Sequence, residues 1–117
     1  ARIMHNERQD KLLDEVTRHS DVQPVCELFR QLSDETRLRI FWLLCHQEKC
    51  VQEIAALMEM SSAAVSHHLR RLRACSLILS RREGKEVYYR AADTKEAHFL
   101  HQMIEALLDI TCPRRHI

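Results

Sequence analysis

Residues 51–90 read VQEIAALMEMSSAAVSHHLRRLRACSLILSRREGKEVYYR. Val51, Ile54, Ala55 and Leu57 recur every three or four positions, which predicts a helix with one buried face. Met60, Ser61 and Ser62 break the pattern, and either serine can cap a following helix by accepting a bond from an orphan backbone N–H. In that second helix Val65, Leu69 and Leu72 share one side and must face a core. Ala63, His67, Arg70, Arg71 and Ala74 lie opposite, flanked by Ser62 and Ser66. Such a face suits a DNA major groove: small residues let the backbone approach, hydroxyls and imidazoles bond base edges, and guanidiniums neutralise phosphates. The competing reading is a solvated basic helix packed on an unrelated small sheet.

The hairpin that follows favours the DNA reading. Two runs rich in branched and aromatic residues, 77–82 and 86–91, flank Glu83-Gly84-Lys85. Gly84 is the chain's one glycine, and a tight hairpin turn is where a positive φ is most often needed. Arg81, Arg82 and Lys85 crowd the tip. From Ser62 to Arg90 seven basic residues face two acidic ones, a local charge of +5 in a chain whose net charge is +1. DNA affinity must therefore reside in this patch, and the overall charge excludes a uniformly basic, histone-like binder. A helix-turn-helix over 51–74 with a basic hairpin over 77–91 is a winged helix.

Four separated motifs extend this: Leu32-Ser33-Asp34-Glu35-Thr36-Arg37-Leu38-Arg39-Ile40, Cys50-Val51, Ala64-Val65-Ser66-His67-His68-Leu69-Arg70-Arg71-Leu72-Arg73, and Arg82-Glu83-Gly84-Lys85-Glu86-Val87-Tyr88-Tyr89. Their order and distances resemble the ArsR/SmtB family of bacterial repressors, over roughly residues 22–110. The resemblance implies a mainly α fold with a small β-hairpin, a winged helix-turn-helix that dimerises through its N- and C-terminal helices. It also implies a repressor whose hold on double-stranded operator DNA changes with an effector, often a metal ion. Ser61, Ser62, Ala63, Ser66, His67 and His68 then form the groove-facing set, with Ser66 and His67 reading bases. Arg70, Arg71, Arg81, Arg82 and Lys85 hold phosphates.

The remaining chain frames this unit. Its 117 residues, 45% of them hydrophobic, make one domain with a modest core, and one glycine with two prolines favours helix over a large sheet. Residues 1–6 read as a frayed end. A helix over 7–20 carries a narrow stripe, Leu12, Leu13 and Val16, that suits a two-fold partner better than its own domain. Pro24 suits the first turn of a helix over 22–31. Ser33 can cap a third helix over 34–46, with Asp34 and Glu35 at its positive end and Trp42 in the core. The longest apolar run, 40–45, is far too short to span a membrane, and no targeting segment is legible. Five cysteines, an odd and scattered set, fit reduced thiols in a cytoplasmic protein.

The last helix, 94–111, opens on a variant capping box, Asp93-Thr94-Lys95-Glu96, and stops before Cys112-Pro113. Leu100, Met103, Ile104, Leu107 and Leu108 form its apolar face, the second candidate dimer surface. His98, His101, Glu105, Asp109 and Cys112 fall in an arc of roughly 80° on another side. His98 and His101 are spaced to reach one ion, so Asp93, His98, His101 and Asp109 are candidate ligands for a zinc-like transition metal. The family pattern is incomplete here. Its C-terminal-helix site would need a histidine where Lys95 stands, and its cysteine site needs a second cysteine where Gln52 stands. Three readings of the stripe stay open: a solvated polar face, a displaced metal site, or thiol sensing through Cys26, Cys50 and Cys112. Cys45 and Cys75 read as inert core thiols. An enzyme is not expected: there is no phosphate-cradling glycine loop, serine elbow or His-Glu-x-x-His motif, and Cys45-His46 side chains diverge on a helix.

Overall fold

The computed structural model describes residues 7–111, so the expectations for residues 1–6, Cys112 and Pro113 lie outside the described residues. Among these described residues six α-helices and three short strands follow one another: α1 (Glu7–Asp14), α2 (Gln23–Leu32), α3 (Glu35–His46), β1 (Lys49–Cys50), α4 (Val51–Met58), α5 (Ser62–Ala74), β2 (Ile78–Glu83), β3 (Glu86–Ala91) and α6 (Lys95–Thr111). α1 continues into a wider π-type turn, Glu15–His19, so the first helical segment is not uniform as expected.

Five helices meet in the core over the root of the sheet, α2 through its last residue, Leu32. Ile40, Phe41 and Leu44 from α3, Ile54 from α4, Val65, Leu69 and Leu72 from α5, and Leu100 and Ile104 from α6 are buried together with Leu77 and Ile78. Fully burying each such side chain contributes roughly 1.5–3 kcal/mol, which more than offsets the modest propensity of β-branched residues for helix. Leu57 was expected on the buried face of α4 and is instead 60% exposed. The stripe that docks is Val51, Ile54, Ala55 and Met58, a strict i, i+3, i+4, i+7 series from which Leu57 is rotated away.

Caps set the helix starts. The α3 cap is Asp34 rather than Ser33: its carboxylate accepts from the Arg37 backbone N–H at 2.9 Å. Ser61 caps α5, its Oγ accepting from Ala64 N–H at 3.1 Å. Before α6, Thr94 accepts from Ala97 N–H at 3.1 Å, so threonine and not Asp93 closes that end. Between α4 and α5 the turn passes through Glu59 in the left-handed region, φ 54°.

The hairpin closes on Glu83↔Glu86, with Gly84 (φ 64°) first and Lys85 second in a two-residue turn, the glycine-first pattern that suits twisted strands. A third strand escaped the sequence reading: Lys49 and Cys50 pair with Tyr89 and Tyr88, giving the sheet order β1-β3-β2. Two residues are too few for any periodicity to register.

α1 buries none of its residues. The radius of gyration is 18.8 Å, against about 13 Å for a compact chain of this length. Leu12, Leu13, Val16, Phe99 and Leu107 all remain more than half exposed. No helix of the described residues is long and apolar enough to cross a membrane.

Candidate nucleic-acid interface and histidine cluster

α5 is amphipathic in the way a groove-reading helix must be. Val65, Leu69 and Leu72 anchor it, while Ser61, Ser62, Ala63, His67, Arg70 and Arg71 are exposed and Ser66 is half-buried. The side chains of Arg70, Arg71, Arg82 and Lys85 make no hydrogen bond or ion pair among the described residues, which leaves their charge available to phosphate oxygens.

Two residues of the expected set point elsewhere. His68 turns inward: its Nδ1 lies 3.1 Å from Arg37 Nη1 and 3.9 Å from the Asp34 carboxylate, with its side chain only 14% exposed. Arginine only donates, so His68 Nδ1 must accept, which fixes the neutral Nε2–H tautomer. Burial, reinforced by the Arg37 charge and opposed by Asp34, holds the His68 pKa below its ordinary value. His68 thus ties α5 to α3 through its Nδ1. Arg37 itself is buried, and its Nε donates to the Gln31 carbonyl at 2.6 Å, so one guanidinium joins α2, α3 and α5. Arg81 also departs from expectation. It forms a two-pronged pair with Glu48 (2.9 and 2.6 Å), pairs with Glu83, and stacks 5.1 Å over Tyr88. Its charge is spent tying the wing to the segment before β1, and those carboxylates raise its pKa.

The expected ligand set divides. His98 is 2.7 Å from Asp93, an exposed pair near the start of α6, because helical side chains lean toward the N-terminus. His101 instead meets α3: its Nε2 is 3.3 Å from His46 Nε2 and 3.2 Å from Glu105 Oε2. His46 Nε2 is 2.8 Å from the same oxygen, and the Trp42 indole N–H donates to it at 3.0 Å. Trp42 is accordingly half-buried rather than sealed in the core. The Trp42 indole above all, with His46 and His101, lowers the Glu105 pKa to about 2. Asp109, half-buried, stays outside this group. Among the described residues His46, His101 and Glu105 form the one set of three possible metal ligands within 4.8 Å of one another. Glu105 was visible on the α6 stripe, but His46 sits 55 residues before His101 and no local pattern links them.

The thiols divide as well. Cys26 is exposed on α2, while Cys50, whose reading as core or reactive thiol the sequence leaves open, is buried at the start of α4. Its backbone N–H donates to Glu53 at 3.0 Å. Burial and the Glu105 charge push the Cys45 thiol up to about 12, and burial raises Cys75, which disfavours the nucleophilic thiolate at both. Cys112 lies outside the described residues.

Comparison with known proteins places these features. Residues 34–80, from the α3 cap to β2, match the family described as bacterial regulatory protein, arsR family. The transcriptional repressor SmtB homolog of Synechocystis sp. is 37% identical over 105 residues, 90% of this chain and 80% of that one. The cadmium resistance transcriptional regulatory protein CadC homolog of Staphylococcus aureus is 34% identical, covering 85% and 86%. Among solved structures, the homodimeric winged helix-turn-helix DNA-binding domain of a possible ArsR-family regulator from Mycobacterium bovis superposes with a TM-score of 0.66 at 28% identity, covering 92% and 91%. With the helix-turn-helix, the wing and these relatives in agreement, the chain belongs to the ArsR/SmtB family of winged-helix transcriptional repressors.

Proposed function

We propose that this chain is a homodimeric cytoplasmic repressor that holds double-stranded operator DNA through α5 and the β2–β3 wing and releases it when a transition-metal ion binds. The observation that carries the reading is the outward face of α5. Ser62, Ala63, His67, Arg70 and Arg71 stand exposed beside Arg82 and Lys85 of the wing, over a core that fixes their spacing. Ser66 and His67 read base edges; Arg70, Arg71, Arg82 and Lys85 bind phosphates, fixing register without reading sequence. The apolar residues left bare on α1 and α6 pair with a second copy, which sets two recognition helices at the separation of two operator half-sites. A metal effector accords with the cadmium-resistance regulator among the relatives. The reading assigns no catalytic step.

Binding-site selection followed by fluorescence anisotropy across a salt series tests it. Arg82→Ala should weaken binding to all sequences alike and reduce the log–log salt slope by about 0.9 per lost phosphate contact. His67→Ala should relax sequence preference while leaving that slope intact. Unchanged selection by His67→Ala together with an unchanged slope for Arg82→Ala would remove α5 and the wing from the interface.

A further inference from the structure

We propose that His46, His101 and Glu105 form a site for a divalent transition-metal ion within one protomer, clamping the C-terminal end of α3 to α6. The site stands on side-chain geometry; only its effect on DNA rests on the function proposed above. The three donor atoms are 2.8, 3.2 and 3.3 Å apart. A zinc-like ion with bonds of about 2.0–2.1 Å sets its tetrahedral donors about 3.3 Å apart, so the triangle already approximates one face of that polyhedron. Two imidazole nitrogens aimed at each other and at one carboxylate oxygen suit a cation better than protons. An ion bound there would take the Nε2 lone pair of each imidazole.

The surroundings complete the case. The Trp42 N–H holds the Glu105 carboxylate from outside, as an outer partner orients a ligand. His46 and His101 also border a cavity of about 300 Å³, ample for water as the fourth ligand. Two nitrogens and one oxygen favour zinc, cobalt or nickel over magnesium or calcium, which prefer all-oxygen shells. The ion would act at a useful place. α3 carries His46 at one end and Arg37, the partner of His68 on α5, near the other. Fixing α6 on α3 therefore fixes the projecting C-terminal helix relative to the helix that faces DNA.

Cobalt(II) titrated into the metal-stripped full chain tests the site directly. The expected result is the visible absorption of tetrahedral cobalt at one ion per protomer, displaced by zinc. His46→Gln and His101→Gln should abolish it, Glu105→Gln should weaken affinity about tenfold or more, and His98→Gln should leave it intact. Far-UV circular dichroism confirms that each variant folds. No cobalt spectrum in the wild type, a spectrum that survives His46→Gln, or equal loss in His98→Gln would overturn the site. DNA anisotropy on the same samples separates the two readings. Cobalt bound through these residues with unaltered DNA affinity upholds the site and refutes the effector role, and failure to bind DNA with or without metal refutes the repressor reading alone.

Discussion

Replacing Arg37 by methionine should destabilise the domain more than any other single change to a charged side chain. Arg37 is only 8% exposed, and its guanidinium serves two partners outside its own helix, the Gln31 carbonyl at 2.6 Å and His68 Nδ1 at 3.1 Å. Hydrogen bonds to a charged donor are worth about 1.5–3 kcal/mol each, and buried acceptors left without partners forfeit their hydration as well. Methionine restores part of the packing and removes the cost of burying a charge, so the net loss should be about 2–3 kcal/mol. That is a large share of the roughly 5–15 kcal/mol that holds a domain together. Urea unfolding followed by circular dichroism measures it, at fixed protein concentration because dimer unfolding depends on mass action. Arg39→Met, which removes an exposed 3.2 Å pair with Glu35, is the control and should cost no more than about 0.5 kcal/mol. Equal midpoints for the two variants would show that the Arg37 network does not hold the helices together.

The same network sets a pH dependence. Burial keeps His68 neutral, with a folded pKa below 6.5, so its contribution is complete above pH 6.5 and is lost as pH falls below it; Asp34, held below 3.8 mainly by the Arg37 backbone N–H, adds a second loss near and below pH 3.8. Stability that rises on acidification from pH 7 to 5 would contradict this, and His68→Gln should flatten the upper limb. Glu59 pays for its left-handed φ of 54°, so Glu59→Gly should raise stability by about 1 kcal/mol in a thermal melt. Arg81→Ala should leave the DNA salt slope nearly unaltered, unlike Arg82→Ala, because Glu48 and Glu83 already neutralise it. A slope change as large as that of Arg82→Ala would return Arg81 to the phosphate-binding set.

Much of the architecture was legible because it is local. The period of Val65, Leu69 and Leu72 marks the inner face of α5 whatever else the chain does, and Gly84 marks the wing turn because few other residues accept its φ. Cap identities were less legible: Ser33 and Asp34, or Asp93 and Thr94, offer neighbouring acceptors, and the choice follows the backbone, since Ser33 stays helical at ψ −17° while Asp34 is extended at ψ 125°. Leu57 escaped because a helical stripe three residues wide has ambiguous edges until something packs against it.

The sequence by itself determined the six helices and the two hairpin strands, their order, the basic outward face of α5 and the family to which they belong, because hydrophobic period and turn chemistry act over a few residues. Only the tertiary structure decided that His68 faces Arg37, that Arg81 is spent on Glu48, and that His101 meets His46 rather than His98. Those pairings span 31, 33 and 55 residues. A side chain's partners at such separations follow from how helices cross and which rotamers the core permits, and neither is written in the residues between them.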